Sequence, residues 1–270
     1  MQERISIYLN SDTFDPEEVL EVATTMRDRR RARGGPGHSG VWTSNHLREW
    51  ISQPESAILQ LRGSYLRVEE SRDVALDLLQ LLKSVDLPVI WYMGSNYVTD
   101  EDTTNAVPVV DILRSLIKQT IEQHSNVMKN WTVNEAHFQA CRTADDWLQL
   151  FIIMLSHIPR IVLVIDAHQK IADILGTVNQ FWDAVKQKNV DTTIKILVLT
   201  YGATEGWLKS SPVLPTTVGD GRNSGGRPSA RPTRVATRFP SQRARMFRSL
   251  QVGPEEFKPY VLKLIRAGHG

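Results

Sequence analysis

The sequence predicts an α/β fold, a mostly parallel sheet with flanking helices. Three observations lead there. Four short apolar runs stand at 57–61, 88–93, 161–165 and 194–199. None alternates strictly between apolar and polar residues, so each reads as a strand buried on both faces. Helical patterns separate the runs, and strands that alternate with helices pair in parallel through right-handed crossovers.

Taken in order, residues 1–40 read as an N-terminal helical leader and a Gly-rich linker. Ile5, Ile7 and Leu9 alternate with polar residues, and Asp15-Pro16-Glu17-Glu18 is a helix start. That helix runs into Arg27-Asp28-Arg29-Arg30-Arg31-Ala32-Arg33, a basic run suited to a helix C-terminus and expected to face solvent. Residues 41–210 carry the strands. After the first strand, Val74, Ala75, Leu78, Leu79 and Leu82 form an apolar stripe with Asp73, Asp77 and Lys83 on the opposite side. A second stripe (Val109, Ile112, Leu113, Leu116, Ile117) follows Pro108, which suits a first helical turn. A third runs through Ile174, Leu175, Val178 and Phe181. The helix at 147–155 is apolar nearly all round and should be buried on several sides. Residues 211–270 change to a Gly/Arg/Pro/Ser-rich tail, expected to be disordered, with a short amphipathic helix at 257–265. No fifth strand stands out, so the sheet is expected to be short by one edge.

Composition bounds the function classes. The chain has 270 residues and 41% hydrophobic side chains, enough for a sizeable core. Its net charge of +2 is unevenly placed, because residues 221–254 hold eight arginines and no Asp, Glu or Lys. The rest of the chain is therefore acidic. A single cysteine, Cys141, excludes an internal disulfide and fits a reducing compartment. The first residues lack the apolar run of a signal peptide, and the apolar stretch 147–165 is broken by His157, Pro159 and Arg160. The expectation is a cytoplasmic protein with no membrane contact.

The end of the first strand carries the most informative pattern. Residues 56–62 run into Gly63-Ser64-Tyr65-Leu66-Arg67-Val68-Glu69-Glu70-Ser71 and then a helix. That layout is the strand, loop and helix of a phosphate-binding G-x-x-x-x-G-K-[ST] loop. Gly63 keeps the first glycine, while Val68 replaces the second, Glu69 the lysine and Glu70 the hydroxyl residue. Such a loop needs backbone N–H groups opened by glycine and a cation that reaches the phosphates. Valine crowds that approach, and two carboxylates repel the ligand. Gly63, Arg67, Glu69, Ser71 and Thr200 are the candidate residues of a degenerate nucleotide site. Arg62, Arg67 and Arg72 are the cations available as substitutes for the lysine, and Glu69 is expected within reach of one of them or in solvent. The apolar run 161–165 ends in Asp166, the pattern of a strand that presents a Mg²⁺-coordinating carboxylate.

With that order of elements, the chain resembles the STAND class of P-loop NTPases, especially the NACHT-like domains of fungal NOD-like receptors, over about residues 45–210. The resemblance implies that Asp166-Ala167-His168-Gln169-Lys170 stands where the family has a longer acidic cluster. Asp166 then matches the metal position, and Gln169 and Lys170 replace the later acids. Thr200 is kept from the sensor at the fourth strand's end, but Gly202 replaces its arginine. Residues 109–117 resemble the family's L-x-x-L-I-x-Q-L helix. Losses at three charge-bearing positions together imply that hydrolysis is gone, so no catalytic residue is assigned. The leading expectation is a catalytically degenerate interaction or regulatory module, with protein partners or self-association and no cofactor. One alternative keeps ATP or ADP binding with Mg²⁺ on Asp166. Another is sequence-independent nucleic-acid binding through the arginine tail. His137 with Cys141, and His157 with Asp166 and His168, are weaker constellations with neither metal-ligand spacing nor a serine elbow beside them. Seven tryptophans read as core rather than as a base-stacking platform.

Overall fold

A computed structural model describes residues 2–9, 15–33, 39–63, 68–94, 108–124, 133–167, 171–188, 191–201, 213–215 and 253–266. The predicted α/β class is what it shows. The strands are β1 (Ala57–Gly63), β2 (Val89–Tyr92), β3 (Arg160–Asp166), β4 (Thr193–Tyr201) and β5 (Val213–Pro215). They lie in the order β2-β3-β4-β1-β5, and every pairing is parallel. β5 corrects the expectation of a missing edge. It pairs with Gln60, Leu61 and Arg62 of β1, and its proline is tolerated because an edge strand needs only one row of donors.

The helices are α1 (Gln2–Leu9), α2 (Pro16–Ala32), α3 (Ser39–Trp42), α4 (Asn45–Ser52), α5 (Val68–Ser84) and α6 (Val109–Gln123). They continue as α7 (Glu135–Ala140), α8 (Ala144–Leu155), α9 (Ile171–Gln187) and α10 (Lys258–Arg266), the last preceded by a 3₁₀ turn at Pro254–Phe257. Several starts are fixed locally. Asp15 caps α2 ahead of Pro16, and Thr143 and Asp146 form a reciprocal capping box on α8. The alternation at Ile5, Ile7 and Leu9 lies on a helix, where Ile5 and Leu9 share the buried face and Ile7 is 72% exposed.

Successive strand residues point to opposite faces, and each face has its own core. Ile58, Ile90, Leu163, Ile165 and Ile196 pack against α6, α8 and α9. Leu59, Trp91, Val164, Leu197 and Leu199 pack against α5, α4 and α10. Helix α8 is buried on most sides, as its apolar sequence requires. The terminal helix belongs to the second core: Phe257, Val261 and Leu264 are buried there, with Phe257 edge-on to Trp42 at 5.5 Å. At the other sheet margin, β2 finds its outer partners in α6. Gln119 accepts from the Trp91 N–H at 3.0 Å and donates to its carbonyl at 2.8 Å, while Gln123 donates to the Val89 carbonyl.

Helix α5 departs most from its amphipathic reading. Asp73 and Asp77 are buried rather than solvated, because α2 lays its arginines across them. Arg27 bonds Asp77 and Gln80, both at 3.0 Å, Arg31 also holds Asp77, and Arg30 holds Asp73. One side of the basic run therefore faces the protein, with Arg27 itself buried, while Arg29 and Arg33 are exposed as expected.

Candidate functional site

The C-terminal ends of parallel strands are where α/β sheets place their ligands, most of all where neighbouring strands send their connections to opposite sides. β1 and β4 are such a pair. β1 leads by α5 to β2 at the far edge, and β4 leads across β1 to β5. Gly63, Thr200 and Asp166 all stand at these strand ends, as the sequence pattern indicated. Gly63 sits opposite Tyr201, and Asp166 opposite Leu199.

What fills the site is the protein's own charge. Arg72, in the second turn of α5, donates from Nε to the Asp166 carboxylate at 2.6 Å and from Nη2 to the Gly94 carbonyl at 2.9 Å. Both side chains are almost wholly buried, at 4% and 0% exposure. Burial is the largest influence on Arg72 and opposes its charge, but Asp166, Tyr201 and Glu69 together outweigh it and the guanidinium pKa is raised. Tyr92 and Tyr201, from the ends of β2 and β4, flank the pair. Burial raises both phenols, the Asp166 carboxylate raises them further, and Arg72 partly offsets the effect. Both tyrosines therefore stay neutral across the physiological range.

The other predicted positions surround this pair. Glu69, on the first turn of α5, is 3.9 Å from Arg72 and 2.8 Å from Arg30 of α2. The expected arginine contact is present, and a second one comes from an element far away in sequence. Ser71 is fully buried against Gly63. A Cβ on residue 63 would lie 2.3 Å from the Ser71 hydroxyl and 3.1 Å from the Tyr201 ring, so this is a position only glycine fits. Thr200 accepts a buried hydrogen bond from Gln60 at 2.7 Å. Arg67, His168, Gln169, Lys170, Gly202 and the arginine tail lie outside the described residues.

The arrangement has a chemical consequence. Where a nucleotide site needs a cation for phosphate and a carboxylate for metal, the two charges here satisfy each other. Asp166 presents one oxygen to a guanidinium, and among the described residues no cluster of three metal-ligating side chains exists. The α5 N-terminus carries Glu69 and Glu70, which complement the helix dipole that an anion would otherwise use. Arg72 could be noted from sequence only as a spare cation, because its partner is 94 positions away. Arg30 was visible in principle: Glu69, Asp73 and Asp77 repeat every fourth residue on one helix, and α2 carries a matching basic run. Compared with known protein families and curated proteins, the sequence matches no family model and no curated protein.

Proposed function

We propose that the chain is a catalytically degenerate NACHT/STAND-like domain that works as an interaction or regulatory module, with its nucleotide site closed by an internal ion pair. One observation carries the reading: the buried Arg72–Asp166 pair at the strand ends, where an NTPase of this layout would bring metal and phosphate together. To bind Mg²⁺ there, Asp166 must leave the guanidinium, and Arg72 would remain buried without its counter-charge. Removing one member of a buried pair costs about 3–5 kcal/mol, comparable to the free energy of millimolar binding. The partner surface is then the folded scaffold itself rather than a conformation set by hydrolysis.

Isothermal titration of the full chain with ATP or ADP plus Mg²⁺ tests this. No heat of binding up to millimolar nucleotide is expected. Micromolar affinity that is lost in Asp166→Ala would overturn the reading in favour of retained nucleotide binding.

A further inference from the structure

We propose that a groove at the opposite, N-terminal end of the sheet binds a small organic monoanion, whose oxyanion group is taken by Arg160. The groove is about 410 Å³ in volume and lies between the chain segments that enter β2, β3 and β4. It is separate from the strand ends that hold Arg72 and Asp166, so it does not depend on how that site is read.

The argument begins with Arg160, the first residue of β3. It is half-buried, its Nε is shielded from solvent, and it makes no hydrogen bond or ion pair. Burial lowers its pKa with no carboxylate to compensate. The other partly or fully buried arginines behave differently. Arg27, Arg30, Arg72 and Arg114 are ion-paired and Arg62 is partnered, while Arg48 and Arg114, whose Nε is also shielded, lie over the Tyr260 and Trp147 rings. A half-dehydrated guanidinium without an acceptor is costly, and a planar oxyanion would match its donors two at a time.

Two more basic groups converge on the same end. His124, at the C-terminus of α6, lines the groove with a shielded Nε2 that has no partner. Lys195 is buried beneath, with its amine on the Glu55 carbonyl. Burial lowers its pKa to about 8, and repulsion from Arg160 contributes. Among the described residues, the only acids on the lining are Asp86 and Asp191. Both are exposed, and neither lies within ion-pair distance of Arg160. Asp86 holds a left-handed backbone (φ 54°) that keeps it in the turn before β2.

This charge pattern selects the ligand. One guanidinium at the base suits one oxyanion, while two carboxylates at the rim repel a second negative charge. Leu87, Ile158 and Ile265 supply apolar wall for an organic body, and the volume falls in the range of small-molecule sites. A carboxylate with an aromatic or short aliphatic body fits, and a polyphosphate does not.

The test is a titration of the ¹⁵N-labelled full chain with benzoate, hexanoate and inorganic phosphate, followed by amide chemical shifts. Benzoate and hexanoate are expected to saturate at millimolar concentration or below, with shifts confined to residues near Asp86, His124, Arg160 and Thr193. Phosphate should bind at least several-fold more weakly. Arg160→Gln should weaken benzoate at least tenfold while leaving the spectrum otherwise folded. Asp191→Asn, an exposed change, should strengthen phosphate binding. Non-saturating or scattered shifts, phosphate binding tighter than benzoate, or unchanged affinity in R160Q would each overturn the proposal. If R160Q does not fold, an unchanged phosphate affinity in D191N overturns the monoanion selection by itself.

Discussion

Replacing Arg72 by methionine should be the most damaging single change in the described fold that keeps side-chain volume. Met fills much of the space of the arginine stem but leaves the Asp166 carboxylate, fully buried, without the Nε donor at 2.6 Å, and it leaves the Gly94 carbonyl without its partner at 2.9 Å. Breaking a buried pair from one side costs about 3–5 kcal/mol. For a chain of this size, that corresponds to a fall in Tm of roughly 6–20 °C. The same logic predicts recovery in Arg72→Met with Asp166→Leu, because an apolar replacement of both partners is often neutral or stabilising by about 1–4 kcal/mol. Urea unfolding at pH 7, followed by circular dichroism, measures both quantities. A cost below about 1 kcal/mol for R72M, or a double variant no better than the single, would refute the claim that this pair closes the strand ends.

Three further outcomes follow from other contacts. Gly63→Ala should cost about 1–3 kcal/mol, since its Cβ would meet the Ser71 hydroxyl at 2.3 Å, and adding Ser71→Ala should recover only part because the Tyr201 ring remains at 3.1 Å; denaturant midpoints check both. Lys195, with a folded pKa of about 8 below its unfolded value, binds fewer protons folded than unfolded between those limits. Wild-type stability should therefore rise relative to Lys195→Met from about pH 8 to 10.5, by about 1–3 kcal/mol, as read from urea midpoints across that range. Asp77→Ala should cost about 1–3 kcal/mol, because Arg27 loses its buried carboxylate but keeps Asp28 and Gln80, and 0.5 M NaCl should change that cost little because Arg27 and Asp77 are buried, which chemical unfolding with and without salt will show.

The elements legible in the sequence were those whose evidence is local. The four apolar runs became β1 to β4 because a strand covered on both faces has few other sequences available to it. β5 was missed because three residues, one of them proline, carry no periodicity, and only its pairing with β1 makes it a strand. The α5 acids looked solvated because a helical projection contains one helix, whereas Asp73 and Asp77 are buried by charges from a second. The same limit applied to the site. Gly63 and Asp166 were readable from their places at the ends of apolar runs, but that Arg72 neutralises Asp166 depends on how α5 lies across the sheet.

The two glutamines of α6 bear on how this molecule meets others. An edge strand is normally an open template for a peptide or a second sheet. Along β2 the outward carbonyl of Val89 and both outward groups of Trp91 are already occupied by side-chain amides that imitate a neighbouring backbone. An incoming strand would have to displace both glutamines and recover hydrogen bonds the protein already makes, with no net gain in their number. Recruitment by strand addition is thus blocked at that margin, and so is the most direct route to cross-β aggregation from it. Replacing both glutamines, Gln119→Val with Gln123→Val, would remove the block and turn a solitary sheet into one able to grow.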